Sequence, residues 1–342
     1  MVVSRRSLLK GVAATPVVLS PALLSACADR GSSSTSGTLS IGQISNSVAF
    51  FPLFIAENQG YFKDEGLKLG DRPRLGTGAK VAAALKSGSI DVGGGVITDA
   101  YNLAATDSGM QVLTSLVSQY YVDIVVGTSF KAPATGAGLD EKVNALVGKR
   151  IGITGPGSGT EALVTYLYAS VGKDPKKDAT LVNLGSAATS AVGALKAKRV
   201  DALAFFQPIG QIAEATKVGD IYISPAAGDI PSLAGALHGV TFSTKSITAS
   251  KKDEVASFRT AIKRSLELVH GDESKVRELL GEYLKGTPPA ALDAIVPILR
   301  KEMPTSPLID ETAYDVAREF HLDSGLVAKA PTYDQAVPQL AR

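Results

Sequence analysis

The 342-residue chain carries 35 Lys and Arg against 33 Asp and Glu, is 45% apolar, and has one Cys and no Trp. That length and apolar content can fill one large core or two medium ones, and a lone cysteine excludes an internal disulfide framework. Residues 1–26 hold three of the basic residues (Arg5, Arg6, Lys10) and no acidic one, so the 316 that follow balance 32 basic against 33 acidic. No basic stripe remains to suggest nucleic acid as a partner.

The N-terminus reads as an export signal. Arg5 and Arg6 precede an apolar run from Leu8 to Leu24 that Pro16 and Pro21 interrupt, short of the ~20 residues a bilayer span needs. Ser4-Arg5-Arg6-Ser7-Leu8-Leu9-Lys10 is similar to a twin-arginine signal. Leu24-Ser25-Ala26-Cys27 resembles the bacterial lipoprotein box, whose cysteine is lipidated and becomes the first mature residue. Cys27 has no disulfide partner, and Ala28–Gly37 is a Ser/Gly-rich stretch of the kind that makes a flexible tether. The expected order is a signal peptide over 1–26, lipidation of Cys27 and a tether over 27–37. An ordinary cleaved signal with an incidental cysteine is the alternative.

Beyond the tether, Leu39–Ile44 alternates as a strand, and Leu53–Phe62 reads as a helix ending at Gly60. Then comes an internal repeat. Ala84-Leu85-Lys86-Ser87-Gly88-Ser89-Ile90-Asp91-Val92 matches Ala194–Ala202 at a constant offset of 110 residues. Each copy follows a small-residue loop, Gly76-Thr77-Gly78 or Gly185-Ser186-Ala187, and a short helix; each leads into a strand-like run, Val92–Ile97 or Ala202–Phe206. Two βαβ units, hence a parallel sheet in each of two lobes, are expected. Asp91 and Asp201 are read as caps into the strands rather than catalytic groups. Between the copies, Val122–Thr128 and Arg150–Thr154 read as strands and Glu161–Val171 as a helix. The last third is helical, with Val255, Phe258, Ile262 and Val269 on one face and Val276, Leu280 and Leu284 on another.

The loop between Arg150–Thr154 and the helix after it, Gly155-Pro156-Gly157-Ser158-Gly159-Thr160, sits where a phosphate cradle would. A Walker loop needs a Lys after the last glycine, and a dinucleotide loop needs a third glycine where Thr160 stands. What remains is a helix N-terminus with backbone amides and two hydroxyls, which suits a carboxylate, sulfonate or nitrate as well as a phosphate. The plain alternative is a tight turn and a cap.

Ala56-Glu57-Asn58-Gln59-Gly60-Tyr61-Phe62-Lys63-Asp64-Glu65-Gly66-Leu67 resembles the A-x-x-x-G-Y-F-x-x-E-G-L signature of solute-binding proteins for nitrate, sulfonates, taurine and thiamine-pyrimidine precursors. Leu85–Asp91, Leu146-Val147-Gly148-Lys149-Arg150-Ile151-Gly152, and Val200-Asp201-Ala202 followed by Gln207-Pro208 resemble its further markers, in order, over residues 39–270. The resemblance implies an α/β, type II periplasmic-binding-protein fold, with two βαβ lobes joined by a two-crossing hinge. Such a protein is a monomer without cofactor that delivers a small solute to the permease and ATPase of an ABC importer. Lobe I is expected over 38–120 and 243–342 and lobe II over 121–242, with crossings near Ser118–Tyr121 and Val240–Thr244. A small anionic organic solute, sulfonate- or taurine-like or else nitrate-like, is the leading reading. A thiamine-pyrimidine precursor, an enzyme of the same fold and a sensor lipoprotein stand as alternatives.

Loops at the C-terminal ends of parallel strands carry the ligand sites of such sheets. The candidates are Asn46, Ser47 and Phe50; Val96, Ile97 and Thr98; Gln119, Tyr120 and Tyr121; Gly157, Ser158, Gly159 and Thr160; Phe206 and Gln207; and His238. Each aromatic doublet, Phe50-Phe51, Tyr120-Tyr121 and Phe205-Phe206, is expected to bury one ring and offer the other to the cleft. Several rings there favour an organic solute over bare nitrate. Enzyme signatures are missing: His238, His270 and His321 lie far apart, no H-E-x-x-H or C-x-x-C occurs, and Pro156 stands where a G-x-S-x-G elbow needs glycine. Neither a metal site nor catalysis is expected.

Overall fold

Residues 37–342 are described in the computed structural model; the export signal, Cys27 and the tether up to Ser36 lie outside the described residues. The Gly37 amide donates to Glu254 Oε1 at 2.9 Å, so the last residue assigned to the tether is already part of the body.

The chain begins with β1 (Thr38–Leu39), β2 (Ile41–Gln43), α1 (Phe51–Asn58), α2 (Tyr61–Asp64), β3 (Lys68–Leu69), α3 (Gly78–Lys86), β4 (Val92–Val96), α4 (Ile97–Ala104) and β5 (Met110–Val117). It continues with β6 (Val122–Gly127), α5 (Leu139–Asn144), β7 (Arg150–Ile153), α6 (Gly159–Ser170), α7 (Pro175–Asp178), β8 (Thr180–Asn183), α8 (Ala188–Lys196), β9 (Ala202–Phe206), α9 (Ile209–Ala215) and β10 (Gly219–Ile223). Strand β11 (Gly239–Thr244) precedes α10 (Lys245–Ser250), α11 (Lys252–His270), α12 (Glu273–Tyr283), α13 (Pro289–Glu302), α14 (Glu311–Asp323) and α15 (Tyr333–Ala336). Among the described residues no helix is long and apolar enough to cross a membrane. The helix expected over Leu53–Phe62 is two helices, because Gly60 adopts a left-handed conformation (φ 75°) between α1 and α2.

The main strands form two sheets, β2-β4-β11-β5 and β10-β6-β9-β7-β8, beside a small β1-β3 pair. The repeat is structural: α3 and α8, and likewise β4 and β9, start and end 110 residues apart. Asp91 Oδ2 accepts the amide of Ser40 at 2.8 Å, and Asp201 Oδ2 accepts that of Arg150 at 2.9 Å. Each thus ties the entry to its strand to the neighbouring parallel strand. The sheets are mixed, however, not parallel throughout. β11 runs antiparallel to β4 and β5, and β6 runs antiparallel to β9 and β10. β6 and β11, the first strand after each crossing, enter their sheets from the opposite end, so the βαβ rule does not bind them.

Residues 118–121 link β5 in the first sheet to β6 in the second. The second crossing does not fall at Val240–Thr244. Those residues are strand β11, hydrogen-bonded on both edges within the first sheet, and the return runs through residues 224–238, between β10 and β11. The C-terminal helices are not confined to the first lobe either. Tyr314 and Ala317 of α14 pack with β5 and β11 side chains, whereas Phe320, one turn on, joins the core under β6, β7 and α6. Faces of α11 and α12 bury Val255, Phe258, Ile262, Val269, Val276 and Leu280 as their spacing demands.

Candidate functional site

Both lobes line one cavity of about 330 Å³. The first lobe supplies Ile44, Ser45, Ser47 and Phe50 after β2, Gly76–Ala79 at the start of α3, Val96, Asp99 and Asn102 around the start of α4, and His238. The second supplies Tyr121 and Val122, Thr154–Thr160 between β7 and α6, Ser186 before α8, and Phe206 at the end of β9. A wider chamber of about 690 Å³ adjoins it, shares Ile44, Ser45, Gly76, Ser186 and Phe206, and adds Asn46, Arg74 and Lys285.

The loop before α6 is built for exposed amides. Gly155 (φ 154°) and Gly157 (φ 74°) take conformations that other residues rarely adopt. Ser158 is the N-cap, its Oγ accepting from the Glu161 amide at 3.3 Å. Thr160 Oγ1 accepts from the Thr154 amide at 3.0 Å. The amides of Ser158, Gly159 and Thr160 have no protein acceptor, as the first turn of any helix requires. Part of the positive end is already used: the Glu161 carboxylate folds back to accept from the Gly157 amide at 2.6 Å. Two bonds fasten this loop from elsewhere, Tyr120 Oη to the Gly159 carbonyl at 2.5 Å and Asn102 Nδ2 to the Gly157 carbonyl at 3.0 Å.

No Lys or Arg lines the cavity; Arg74 and Lys285 line the adjoining chamber. Burial pushes the Asp99 carboxyl up to about 7, and its Oδ2 accepts from the Val96 amide at 2.9 Å. Burial also holds the His238 imidazole well below its ordinary value, so it is neutral; its Nδ1 has no partner, and its ring lies 4.0 Å from that of Tyr120. Among the described residues no three His, Cys, Asp or Glu side chains are grouped as metal ligands.

Of the sequence candidates, Ser47, Phe50, Gly157, Ser158, Gly159, Thr160, Phe206 and His238, with Val96 and Tyr121, meet in this cavity. The others do not. Ile97 is core, packed with Ala100 and Tyr101. Thr98 Oγ1 donates at 2.6 Å to His321 Nε2, whose Nδ1 is committed to the Ala317 carbonyl. Tyr120 is fully buried beneath the loop, and Gln207 Nε2 is bound to Glu302 Oε1 at 3.0 Å. Gln119 Oε1 accepts from the Gly235 amide. Asn46 lies in the outer chamber, its Oδ1 accepting from Arg74 Nε at 2.7 Å. Phe51, Tyr120 and Phe205 are buried away from the cavity; Phe50, Tyr121 and Phe206 border it, but Phe50 and Tyr121 are themselves only 1% exposed core residues, so of these rings Phe206 alone is partly exposed. The structural role of Thr98 has a direct check. Thr98→Val leaves His321 Nε2 unpaired and is expected to cost about 1–3 kcal/mol, read as a lowered melting temperature.

Two lobes with mixed sheets around a shared cavity define the class: the periplasmic-binding-protein architecture that solute-binding components of ABC importers share. The chain belongs to the NMT1-like family, whose model matches residues 33–270. It is 22% identical over 323 residues to the putative binding protein YtlA of Bacillus subtilis (strain 168), covering 87% of this chain and 86% of that one. Its fold is similar to that of the alkanesulfonate-binding protein SsuA from Xanthomonas axonopodis pv. citri bound to MOPS (TM-score 0.70, 18% identity, 88% and 98% of the chains). It is also similar to the periplasmic nitrate-binding protein NrtA from Synechocystis PCC 6803 (TM-score 0.66, 15% identity, 88% and 87% of the chains).

Proposed function

We propose that the protein is an extracytoplasmic, lipid-anchored monomeric receptor that carries a small anionic organic solute to the permease and ATPase of an ABC importer. The observation that carries this reading is the row of three unpaired amides at Ser158–Thr160, opening into a cavity walled by Phe50, Tyr121 and Phe206. An acid group seated at the α6 N-terminus satisfies those amides and meets the positive end of a twelve-residue helix, while the rings take the organic part. In this reading lobe I, 38–120 with the C-terminal segment, and lobe II, from residue 121 to the return segment, close on the solute about the crossings. The ring-lined wall also supports a second reading, a pyrimidine precursor of thiamine.

A thermal-shift panel of sulfonates, carboxylates, nitrate and pyrimidines against the mature protein tests the assignment. A ligand at a hundredfold excess over Kd adds about 2.7 kcal/mol to stability, a shift the assay resolves easily. Stabilisation by pyrimidines and not by acids would replace the first reading with the second. Anchoring has its own test: Cys27→Ser is expected to leave the protein unprocessed or free of the membrane fraction. Normal cleavage together with membrane retention would exclude the lipid anchor.

A further inference from the structure

The two adjoining spaces between the lobes differ in charge. The inner cavity has no basic lining, whereas Arg74 and Lys285 both line the outer chamber. Among the described residues neither cation has a carboxylate within ion-pair distance. Glu282, the acid of the same chamber, accepts instead from Asn58 Nδ2 at 3.2 Å. Arg72, two residues before Arg74, has its own acid in Glu57 at 2.8 Å. Arg74 is also held in place. Its backbone pairs with Gln43, the last residue of β2, its Nε donates to Asn46 Oδ1 at 2.7 Å, and its Nη1 donates to the Arg72 carbonyl at 2.8 Å. Nη2 donates to no protein acceptor among the described residues. A guanidinium fixed on one side with donors to spare is the fork that takes a carboxylate or sulfonate.

The apolar surface runs towards the same place. Phe206, half-buried, borders both spaces, and Phe54, also half-buried, borders the outer one. A solute seated at α6 therefore meets its exposed ring at the junction with the outer chamber, not deeper in the inner cavity. Beyond that ring lie about 690 Å³ of further space and the two unpaired cations. We infer that Arg74, assisted by Lys285, is a second acid seat, and that the solute is an elongated diacid with one acid group on the α6 amides, an apolar body over Phe206 and the other acid group on the Arg74 guanidinium. This rests on the acid seat proposed above. A monoacid that fills only the inner cavity of about 330 Å³ leaves Arg74 and Lys285 without partners.

Titration calorimetry on the exported protein tests this. The probes are straight-chain dicarboxylates from butanedioate to octanedioate, each against the monocarboxylate of the same length, and 4-sulfobenzoate against benzoate and benzenesulfonate. At least one diacid is expected to bind about tenfold or more tighter than its monoacids, with affinity peaking at the chain length that spans the two seats. Arg74→Gln is expected to shrink that preference below about threefold with the melting temperature nearly kept, because Arg74 is exposed. Lys285→Gln is expected to remove a smaller part of it. Equal affinity for mono- and diacids in the wild-type protein overturns the second seat and leaves the first standing. Equal weakening of both by Arg74→Gln makes Arg74 a general attractor of anions and overturns the second seat as well. A diacid preference that is lost on Arg74→Gln, with affinity unmoved by Gly159→Asp, keeps the Arg74 contact and removes the α6 seat. Binding of none of these compounds overturns the diacid outright.

Discussion

Gly159→Asp is expected to lower solute affinity at least a hundredfold, about 2.7 kcal/mol, in a protein that still folds. Gly159 does not occupy the left-handed region, so its backbone accepts an L side chain, and an acid in the first helical turn is favourable in itself. Space and charge decide the outcome. A Cβ at 159 would sit 3.2 Å from Thr98 Oγ1 and 3.4 Å from His238 Cε1 and Tyr120 Oη. A carboxylate on that Cβ falls among Thr98, Tyr120 and His238 at the cavity wall, where no Lys or Arg offsets its charge. Gly159→Ala separates the two effects, since it brings the Cβ and not the charge. Calorimetric affinity and melting temperature for both variants make the measurement. A folded Gly159→Asp with unchanged affinity would place the solute away from α6 and reduce Gly157–Gly159 to a turn and a cap. If Gly159→Ala loses as much as Gly159→Asp while staying folded, close approach between the lobes at this glycine, rather than charge, governs binding.

The part of this site that was legible in the sequence is the part built from contiguous residues. A strand, a glycine-rich loop and a helix follow each other in the chain, so Gly157–Thr160 could be read directly, and the 110-residue repeat marked the equivalent edges of both sheets. The small-residue loops of the repeat border the cavity too, through Gly76-Thr77-Gly78 and Ser186. Choices between neighbours were not legible. Thr98 and Asp99 lie about 100° apart on one helical turn, and the contact that turns Thr98 inward comes from His321, 223 residues away. Gln207 is turned from the cleft by Glu302, 95 residues on. Tyr120 and Tyr121 are both buried, and distant partners, the Gly159 carbonyl for Tyr120 and Ser47 Oγ for Tyr121, decide which of the two borders the cavity. The second crossing was misplaced for a similar reason, because pairing of β11 on both edges depends on strands that lie more than a hundred residues earlier.

Raising the pH from 5 to 8.5 is expected to destabilise the protein by several kcal/mol through two carboxyls buried near the crossings. Asp123, in β6 just after the first crossing, is fully buried, and neither of its carboxylate oxygens accepts a hydrogen bond. Glu302, the last residue of α13, accepts from Gln207 through Oε1 and leaves Oε2 unpaired, while the Ser118 amide donates to its carbonyl. Burial pushes Asp123 from its ordinary 3.8 up to about 7 and Glu302 from 4.5 up to about 8. A raised carboxyl pKa means that the folded protein keeps a proton the unfolded chain has lost. Stability from these groups is therefore complete below about pH 4 and declines by about 1.4 kcal/mol per pH unit for each carboxyl, until the folded-state values of about 7 and 8 are passed. The buried histidines oppose this only at acid pH, because His238 and His321 are held below 6.5 and favour folding as pH rises towards that value. Above 6.5 nothing from them offsets the loss. Asp123→Asn and Glu302→Gln remove the titration and not the polar group, so each is expected to flatten the curve of melting temperature against pH and to exceed the wild type at pH 8.5. Variant curves running parallel to the wild type from pH 5 to 8.5 would mean that neither carboxyl holds its proton in the folded state. Since whole-domain stability is typically 5–15 kcal/mol, ionisation of two such groups beside the Ser118–Tyr121 crossing takes a sizeable share of it, and Asp99, also pushed up to about 7, adds a loss of the same sign.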